Sequence, residues 1–417
     1  MNEILEQIAQ RIHAAPDKMR VLDWLFGLHK QKALAGTPVV LVGAGSLGKD
    51  LCLTLQNQGV LPVCFCDNDS SRNGGSLCGI PIISFDELKK QHRDSLILIS
   101  TLKYQDLITS QLLQNGFHSD RVLCKAFDRA LVLYFMEISQ NNLVELRQQH
   151  SSKPMFDVLL ENEQSVFEAY HLFADQRSKD LFLAILAFMV SNDNLQLFRD
   201  FILSFCEPIS AFGFDPSGHP EAYFYFNNDV LSVAEDEVYV DVGAFDGDTI
   251  ETFVQTCNRH QVDYKHIFAF EPDPRNYRAL KKNTREYKNV SCHQIGLWSQ
   301  SQVLRFLSSR NSVLEAGAAI NSEGDIDVQV VSLDDFIRKK KVSFIKMDPP
   351  GNVIPHAIRG AATTIARDKP KLVLGAYHSL EAYFEIPLLV KSICPDYKLY
   401  LRHNSWTLAE TDLYAIV

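Results

Sequence analysis

Two stretches, far apart in the chain, each run an apolar strand straight into a glycine turn and then a helix. The first is "VVLVGAGSLGKDL" from Val39; the second is "VYVDVGAFDGDTIETF" from Val238. A buried strand followed by a helix crosses over right-handedly to a parallel neighbour, so each start commits its stretch to a βαβ series. The patterns that follow agree. After the first come strand-like "VLPVCFCDND" and "DSLILIS", with the helix "SFDELKKQ" between them. After the second come "HIFAFEPD", "NVSCHQIGLW", "DIDVQVVSL", "VSFIKMD", "KLVLGAY", "YKLYLR" and "TDLYAIV", with helices over "DTIETFVQTC", "PRNYRALKKN" and from Ser379. Between the two series, apolar residues recur at helical steps in "FEAYHLF" and "KDLFLAILAFMV". The expected class is α/β: two Rossmann-like parallel-sheet domains joined by a helical segment. The expected divisions are 1–128 (N-terminal helices and a nucleotide-binding type of domain), 129–234 (helical connector and an aromatic loop, "FGFDPSGHPEAYFYFNND") and 235–417.

Length supports a division of this kind, since 417 residues exceed one ordinary core. The net charge of -10 argues against nucleic acid or an anionic membrane surface as the main partner. The longest apolar run, Leu181 to Val190, falls well short of the roughly 20 residues of a membrane span. The opening residues lack the basic and apolar regions of a secretion signal, and a cytoplasmic protein is expected. Nine cysteines are scattered without paired CxxC spacing, so reduced structural thiols are expected and no metal site.

The two glycine turns suit different ligands. Gly43, Gly45 and Gly48 form GxGxxG between strand and helix, and Asp67 ends the next strand. This spacing fits a nucleotide or nucleotide-sugar, with backbone amides near phosphate and an acid near ribose. The second turn carries Asp241, Asp246 and Asp248 around Gly243 and Gly247. Three carboxylates repel a pyrophosphate but suit a ligand bearing ammonium and sulfonium cations. One strand later Glu271 precedes Pro272 and Asp273, placing an acid where both hydroxyls of a ribose can donate to it. An acidic glycine loop followed by a strand-terminal acid is what S-adenosyl-L-methionine requires. Capping carboxylates at a helix start explain Asp248 equally well.

With these residues in place, the stretch from about Glu237 to Val417 resembles the FkbM-type methyltransferases, a branch of the class I S-adenosylmethionine-dependent fold. The resemblance rests on "VYVDVGAFDGDTIETF", "FAFEPDPRNYRAL", "VVSLDDF", "FIKMDPPG", "RGAATTI" and "YHSLEAYFEIPLLVKSICPDYKLYLRH". It implies a seven-stranded, mostly parallel sheet with an antiparallel last strand, and O-methylation of hydroxyls on sugars, glycans and related metabolites. It implies that Asp241, Gly243, Phe245, Gly247 and Asp248 hold the methionine portion of the donor and Glu271 the ribose. Thr249 and Asp273 lie in the same two segments and are counted with them. The family usually carries Asp-x-Glu-Gly-x-Glu after its fourth strand. Here Asp348 and Gly351 remain, while Pro350 and Val353 stand in place of the glutamates.

The turn "DPPG" stops its strand near Asp348, because proline cannot donate to a sheet ladder. It also resembles the Asp-Pro-Pro-aromatic turn of amino-methyltransferases, with Gly351 in the aromatic position. Methyl transfer to a hydroxyl needs a proton sink, and His378, following "KLVLGAY", is the candidate base with Asp348 as its partner. His356 and His403 rank below it. Three readings stay open: O-methyl transfer to a small-molecule or glycan acceptor, N-methyl transfer at the Asp-Pro-Pro turn, and a catalytically weak protein that binds the donor or a nucleotide-sugar.

Overall fold

Continuous Val, Leu and Ile runs make strands buried on both faces, and the computed structural model stacks two such sets into separate sheets. It describes residues 3–14, 33, 35–57, 59–101, 104–123, 155–190, 197, 204–205, 225–307, 319–320, 324, 326–404 and 410–417. Most of the aromatic loop, Cys124, Cys206 and the helix expected after Pro16 lie outside the described residues. The chain forms two compact units. One gathers residues 12–149 and 191–204; the other gathers 1–11, 150–190 and 205–417.

The first unit holds a six-stranded sheet of β1 (Val39–Val42), β2 (Cys64–Cys66), β3 (Ser76–Leu77), β4 (Ile80–Ile83), β5 (Leu96–Ile99) and β6 (Val122–Leu123). Its order is β3-β4-β2-β1-β5-β6, parallel except for β3 against β4. The helix after β1 begins at Ser46, inside the glycine motif. Cys64 and Cys66 share one face and pack into the core with Val40, Val42 and Ile97. Burial pushes the thiols of both up to about 12, so they stay protonated.

The second unit is built on a seven-stranded sheet: β7 (Glu237–Val242), β8 (Tyr264–Phe270), β9 (Val290–His293), β14 (Phe344–Met347), β15 (Lys371–Gly375), β16 (Lys398–His403) and β17 (Thr411–Ile416). The order is β16-β17-β15-β14-β7-β8-β9, and β17 runs antiparallel to both its neighbours. The segment "NVSCHQIGLW" is not one strand. It breaks after β9, and β10 (Gly296–Leu297) joins β11 (Gln302–Leu307), β12 (Ala319–Ile320) and β13 (Ile326–Val331) in a small four-stranded sheet. The strand read from "DIDVQVVSL" belongs to this small sheet. The helix read from Ser379 starts at Ala382, whose N–H donates to the Ser379 hydroxyl.

Residues 155–190, within the expected connector, group with this unit. Phe173 bridges to Leu399 on β16, and the Ala174 N–H donates to the Leu399 carbonyl. Arg402, also on β16 and almost fully buried, reaches Asp175 and Ser178 of that helical segment and grips Asp229. Beneath the carboxyl edge of the sheet lies an aromatic core. Tyr239 stacks on Phe253, and Phe226 and Phe344 pack edge-on or tilted against them.

Candidate active site

The carboxyl ends of β7, β8, β14 and β15 converge on one edge, where their loops carry the acids. The turn after β7 needs backbone that favours glycine: φ is +78° at Gly243 and +96° at Gly247. Between them Phe245 adopts a φ of +46°, uncommon for a side chain of its size. Its N–H donates to Glu271 Oε2 at 3.0 Å, and the Asp273 N–H donates to Glu271 Oε1 at 2.9 Å. Glu271 therefore ties the glycine loop to the loop after β8. Burial pushes its carboxyl up to about 7 against the pull of those two amides.

Asp241 is 0% exposed. Thr249 Oγ1 donates to its Oδ2 at 2.6 Å, and the Lys346 ammonium lies 3.7 Å from its Oδ1. Oδ1 accepts no hydrogen bond. Burial raises the Asp241 carboxyl, with Lys346 and Thr249 opposing. Asp241 thus lies under the loop and does not line an open surface, and Thr249 holds it there. Asp248, exposed, opens the helix Asp248–His260, while Asp246 is partly buried and raised by burial and by Asp248. Asp273 is also a helix cap. Its Oδ1 accepts from the N–H groups of Arg275 and Asn276, capping the helix Pro274–Asn283.

Two glycines fix the position of the Asp-Pro-Pro turn. A Cβ on Gly243 would stand 3.0 Å from Pro349, and one on Gly375 would stand 2.4 Å from Asp348 Oδ1. Asp348 is thus seated between the glycine loop after β7 and the end of β15. His378 Nε2 lies 3.0 Å from Asp348 Oδ1, and the two side chains are each 14% exposed. The Tyr377 hydroxyl lies 2.9 and 3.0 Å from the two Asp348 oxygens. Burial alone would raise the Asp348 carboxyl, but His378, Lys346 and Tyr377 hold it below the usual carboxylate range. The ionised Asp348 accepts the Nε2 proton of His378, which leaves Nδ1 as the basic nitrogen. Tyr377 also approaches Glu410 Oε1 at 3.5 Å, and Tyr225 donates to Glu410 Oε2.

Sequence reasoning thus brought together Asp241, Gly243, Phe245, Gly247, Asp248, Thr249, Glu271, Asp348 and His378. It passed over Lys346, Tyr377, Glu410, Gly375 and Asp412. A signal for Lys346 was present: a lysine inside an apolar strand, two residues before Asp348 and so on the same face. His356 stacks on Trp298 with ring centroids 3.8 Å apart, and His403 Nδ1 lies 2.8 Å from Thr411 Oγ1. Among the described residues no group of three or more His, Cys, Asp or Glu is arranged to hold a metal, and no helix is long and apolar enough to cross a membrane.

The N-terminal glycine turn has a different outcome. Gly43 and Gly48 are fixed by packing, because a Cβ on either would strike Ser100 or the Gly43 carbonyl, while Gly45 faces open space. Asp67, at intermediate burial, sits against this turn. Its Oδ2 accepts the Ala44 N–H at 2.8 Å and meets Arg72, and its Oδ1 accepts the Asp69 N–H. That acid closes the loop on itself.

Residues 241–400 match the family described as the methyltransferase FkbM domain. This segment is an FkbM methyltransferase domain. The chain is accordingly a methyltransferase. It is similar over 99% of both chains to the crystal structure of an FkbM methyltransferase from Methylobacillus flagellatus KT, with 20% identity and a TM-score of 0.58. A fibrillarin from Aeropyrum pernix, solved with natively bound S-adenosyl-L-methionine, aligns with 47% of this chain and 73% of its own at 12% identity and a TM-score of 0.29. A precorrin-6y C5,15-methyltransferase from Geobacter metallireducens GS-15 aligns with 44% of this chain and 80% of its own at 11% identity and a TM-score of 0.27. No curated protein sequence matches. The FkbM domain spans β7 to β16, so it contains the glycine loop, Glu271, Asp348 and His378.

Proposed function

We propose that the FkbM domain transfers the methyl group of S-adenosyl-L-methionine to a hydroxyl of a sugar, glycan or related metabolite. The observation that carries this reading is the His378–Asp348 pair, seated on a turn that abuts Gly243 of the acidic loop. Donor-side and acceptor-side groups are thereby adjacent, and alignment of the reactants is most of what such a displacement needs from its protein.

The residues fit the donor. Asp241 offers a buried acceptor oxygen without a hydrogen bond under the loop, and Asp246 and Asp248 add negative charge at its rim. Glu271 uses one lone pair on each oxygen for backbone amides, leaving others for ribose hydroxyls. When bound, the donor supplies a methyl carbon activated by its sulfonium. That carbon would pass to the acceptor oxygen, with the electron pair of the S–CH3 bond left on sulfur and the hydroxyl proton left for the protein to accept. His378 takes the hydroxyl proton at Nδ1, and Asp348 stabilises the resulting imidazolium through Nε2. A hydroxyl acceptor needs a proton sink, and the His378–Asp348 pair supplies one, which supports oxygen as the acceptor atom.

The test is calorimetric titration with S-adenosyl-L-methionine and S-adenosylhomocysteine, followed by mass spectrometry of a panel of hydroxyl-only and amino-bearing sugars. Donor binding with methylated hydroxyl-only products is expected, and His378→Ala should abolish turnover while preserving donor affinity. Products methylated only at nitrogen, or full turnover in His378→Ala, would reject the assignment.

A further inference from the structure

Lys346 lies inside β14 and is 3% exposed, one of the least favourable places for a cation. Strand pairing shows what surrounds it. In the register of the sheet Lys346 stands beside Asp241 on β7 and Val373 on β15, and Val373 stands beside Tyr414 on β17. One row toward the carboxyl edge, on the same face, come Gly243, Asp348, Gly375 and Asp412. The row below is aromatic, with Tyr239 beside Phe344. Lys346 therefore occupies the boundary between the hydrophobic core and the acid-bearing edge.

The groups that face its ammonium come from every element packed there. Asp241 lies 3.7 Å away on β7, and the Tyr225 ring centroid lies 5.7 Å away. Asp348 on its own strand and Asp248 at the helix start supply further negative charge, while burial and the neighbouring acids Glu410 and Asp348 raise the carboxyl of Asp412 on β17 well above its ordinary range. Asp412 is itself buried, with one oxygen accepting from Asn404 and the other unpaired. Burial would depress the ammonium, but these carboxylates outweigh it and raise its pKa, Asp241 first. The ammonium is thus charged, and it faces the acids of both halves of the site.

We propose that Lys346 is a positioning residue that keeps Asp241 ionised beneath the bound donor, so that the negative field of the loop survives its own burial. The inference rests on the donor assignment above. A fully buried carboxylate without a counter-ion takes up a proton instead of remaining charged. With Lys346 present, Asp241 attracts the cationic donor without first losing a proton. Without it, donor binding must also drive a proton off Asp241.

The experiment is titration of the full chain with S-adenosylhomocysteine and S-adenosyl-L-methionine in buffers of different ionisation enthalpy, which counts protons released per ligand bound. At about pH 8, Lys346→Met is expected to bind S-adenosyl-L-methionine roughly tenfold more weakly and to release up to about one proton more than wild type. Lys346→Arg, which keeps the charge, should show the wild-type count. The double variant Asp241→Asn/Lys346→Met should release no extra proton. A weakened affinity with an unchanged proton count in Lys346→Met would mean that the lysine merely supports the core, and the proposal would fail. Wild-type protein that binds neither ligand would instead reject the donor site itself. If Lys346→Met does not fold but the double variant does, the two charges are shown to depend on each other. If neither folds, Lys346 belongs to the core and the proposal is overturned.

Discussion

Gly375→Ala tests the acceptor side of the site with a single methyl group. The new Cβ would sit 2.4 Å from Asp348 Oδ1 and 3.3 Å from both Asp348 Cγ and a Tyr377 ring carbon. A carbon–oxygen contact needs roughly 3.2 Å or more, so the carboxylate must retreat by about 1 Å. Its hydrogen bonds to His378 and Tyr377, now 2.9 to 3.0 Å long, would then stretch past any useful length. Bonds to a charged group contribute about 1.5–3 kcal/mol each, but Asp348 is 14% exposed and regains some hydration. A net stability loss of about 2 kcal/mol is therefore expected. The larger effect is kinetic. A positioned general base is worth about 10²–10⁴ in rate, so kcat should fall at least 100-fold. Donor affinity should stay within about threefold, because Gly243 and the acidic loop contact Pro349 on the other side of the turn. The assay pairs urea unfolding and donor titration with turnover on the hydroxylated sugar that wild type methylates fastest. Turnover within threefold of wild type would show that the Asp348–His378 pair is not the proton acceptor.

Three further outcomes follow from the same geometry. Asp241→Asn should weaken S-adenosyl-L-methionine binding about tenfold by titration, through loss of a charge beneath the loop; unchanged affinity would remove Asp241 from the donor site. Glu271, raised to about 7, should make donor affinity fall as pH drops through that value. Its sign for stability is the reverse: the free protein holds this proton more tightly than the unfolded chain, so stability declines as pH rises from the ordinary glutamate range to about 7, by roughly 3 kcal/mol at most, and Glu271→Gln should flatten that slope in urea titrations. Arg402→Met should cost about 2–4 kcal/mol in urea unfolding, since it strips the guanidinium from Asp175 and Asp229, both held below the usual carboxylate range chiefly by that residue once burial is overcome. In wild type this contribution is present above the unfolded carboxylate pKa and fades as pH falls through the depressed folded values, so the difference between wild type and variant should shrink in acid.

The strands of the large sheet were legible because burial on both faces writes a continuous apolar run, as in "FIKM" and "KLVLG". The strand "IDVQVV" writes a different pattern, alternating apolar with polar, and its burial alternates too. That alternation marks a half-exposed antiparallel strand, and it separates β13 into the small sheet. Reading it only as another strand of the series missed the distinction. Asp273 followed by Pro274 was likewise a helix-cap signature in plain view.

What stayed hidden depends on register. Lys346 and Asp241 meet across 105 positions only because β14 pairs with β7 in one particular alignment; a slip of one residue would turn Lys346 to the opposite face. The same holds for Gly375, whose lack of a side chain matters only because Asp348 occupies the adjacent row. Glu410, just before β17, reaches Tyr377 just after β15, and Tyr225 meets that same glutamate from a segment 185 positions earlier in the chain. The Asp348–His378 pair could be guessed from two strand tips, because every parallel strand delivers its last residue to the same edge. Its supports could not, since they lie sideways along rows that no single segment contains. The functional chemistry of this chain is therefore readable along strands, and the electrostatics that tune it are readable only across them.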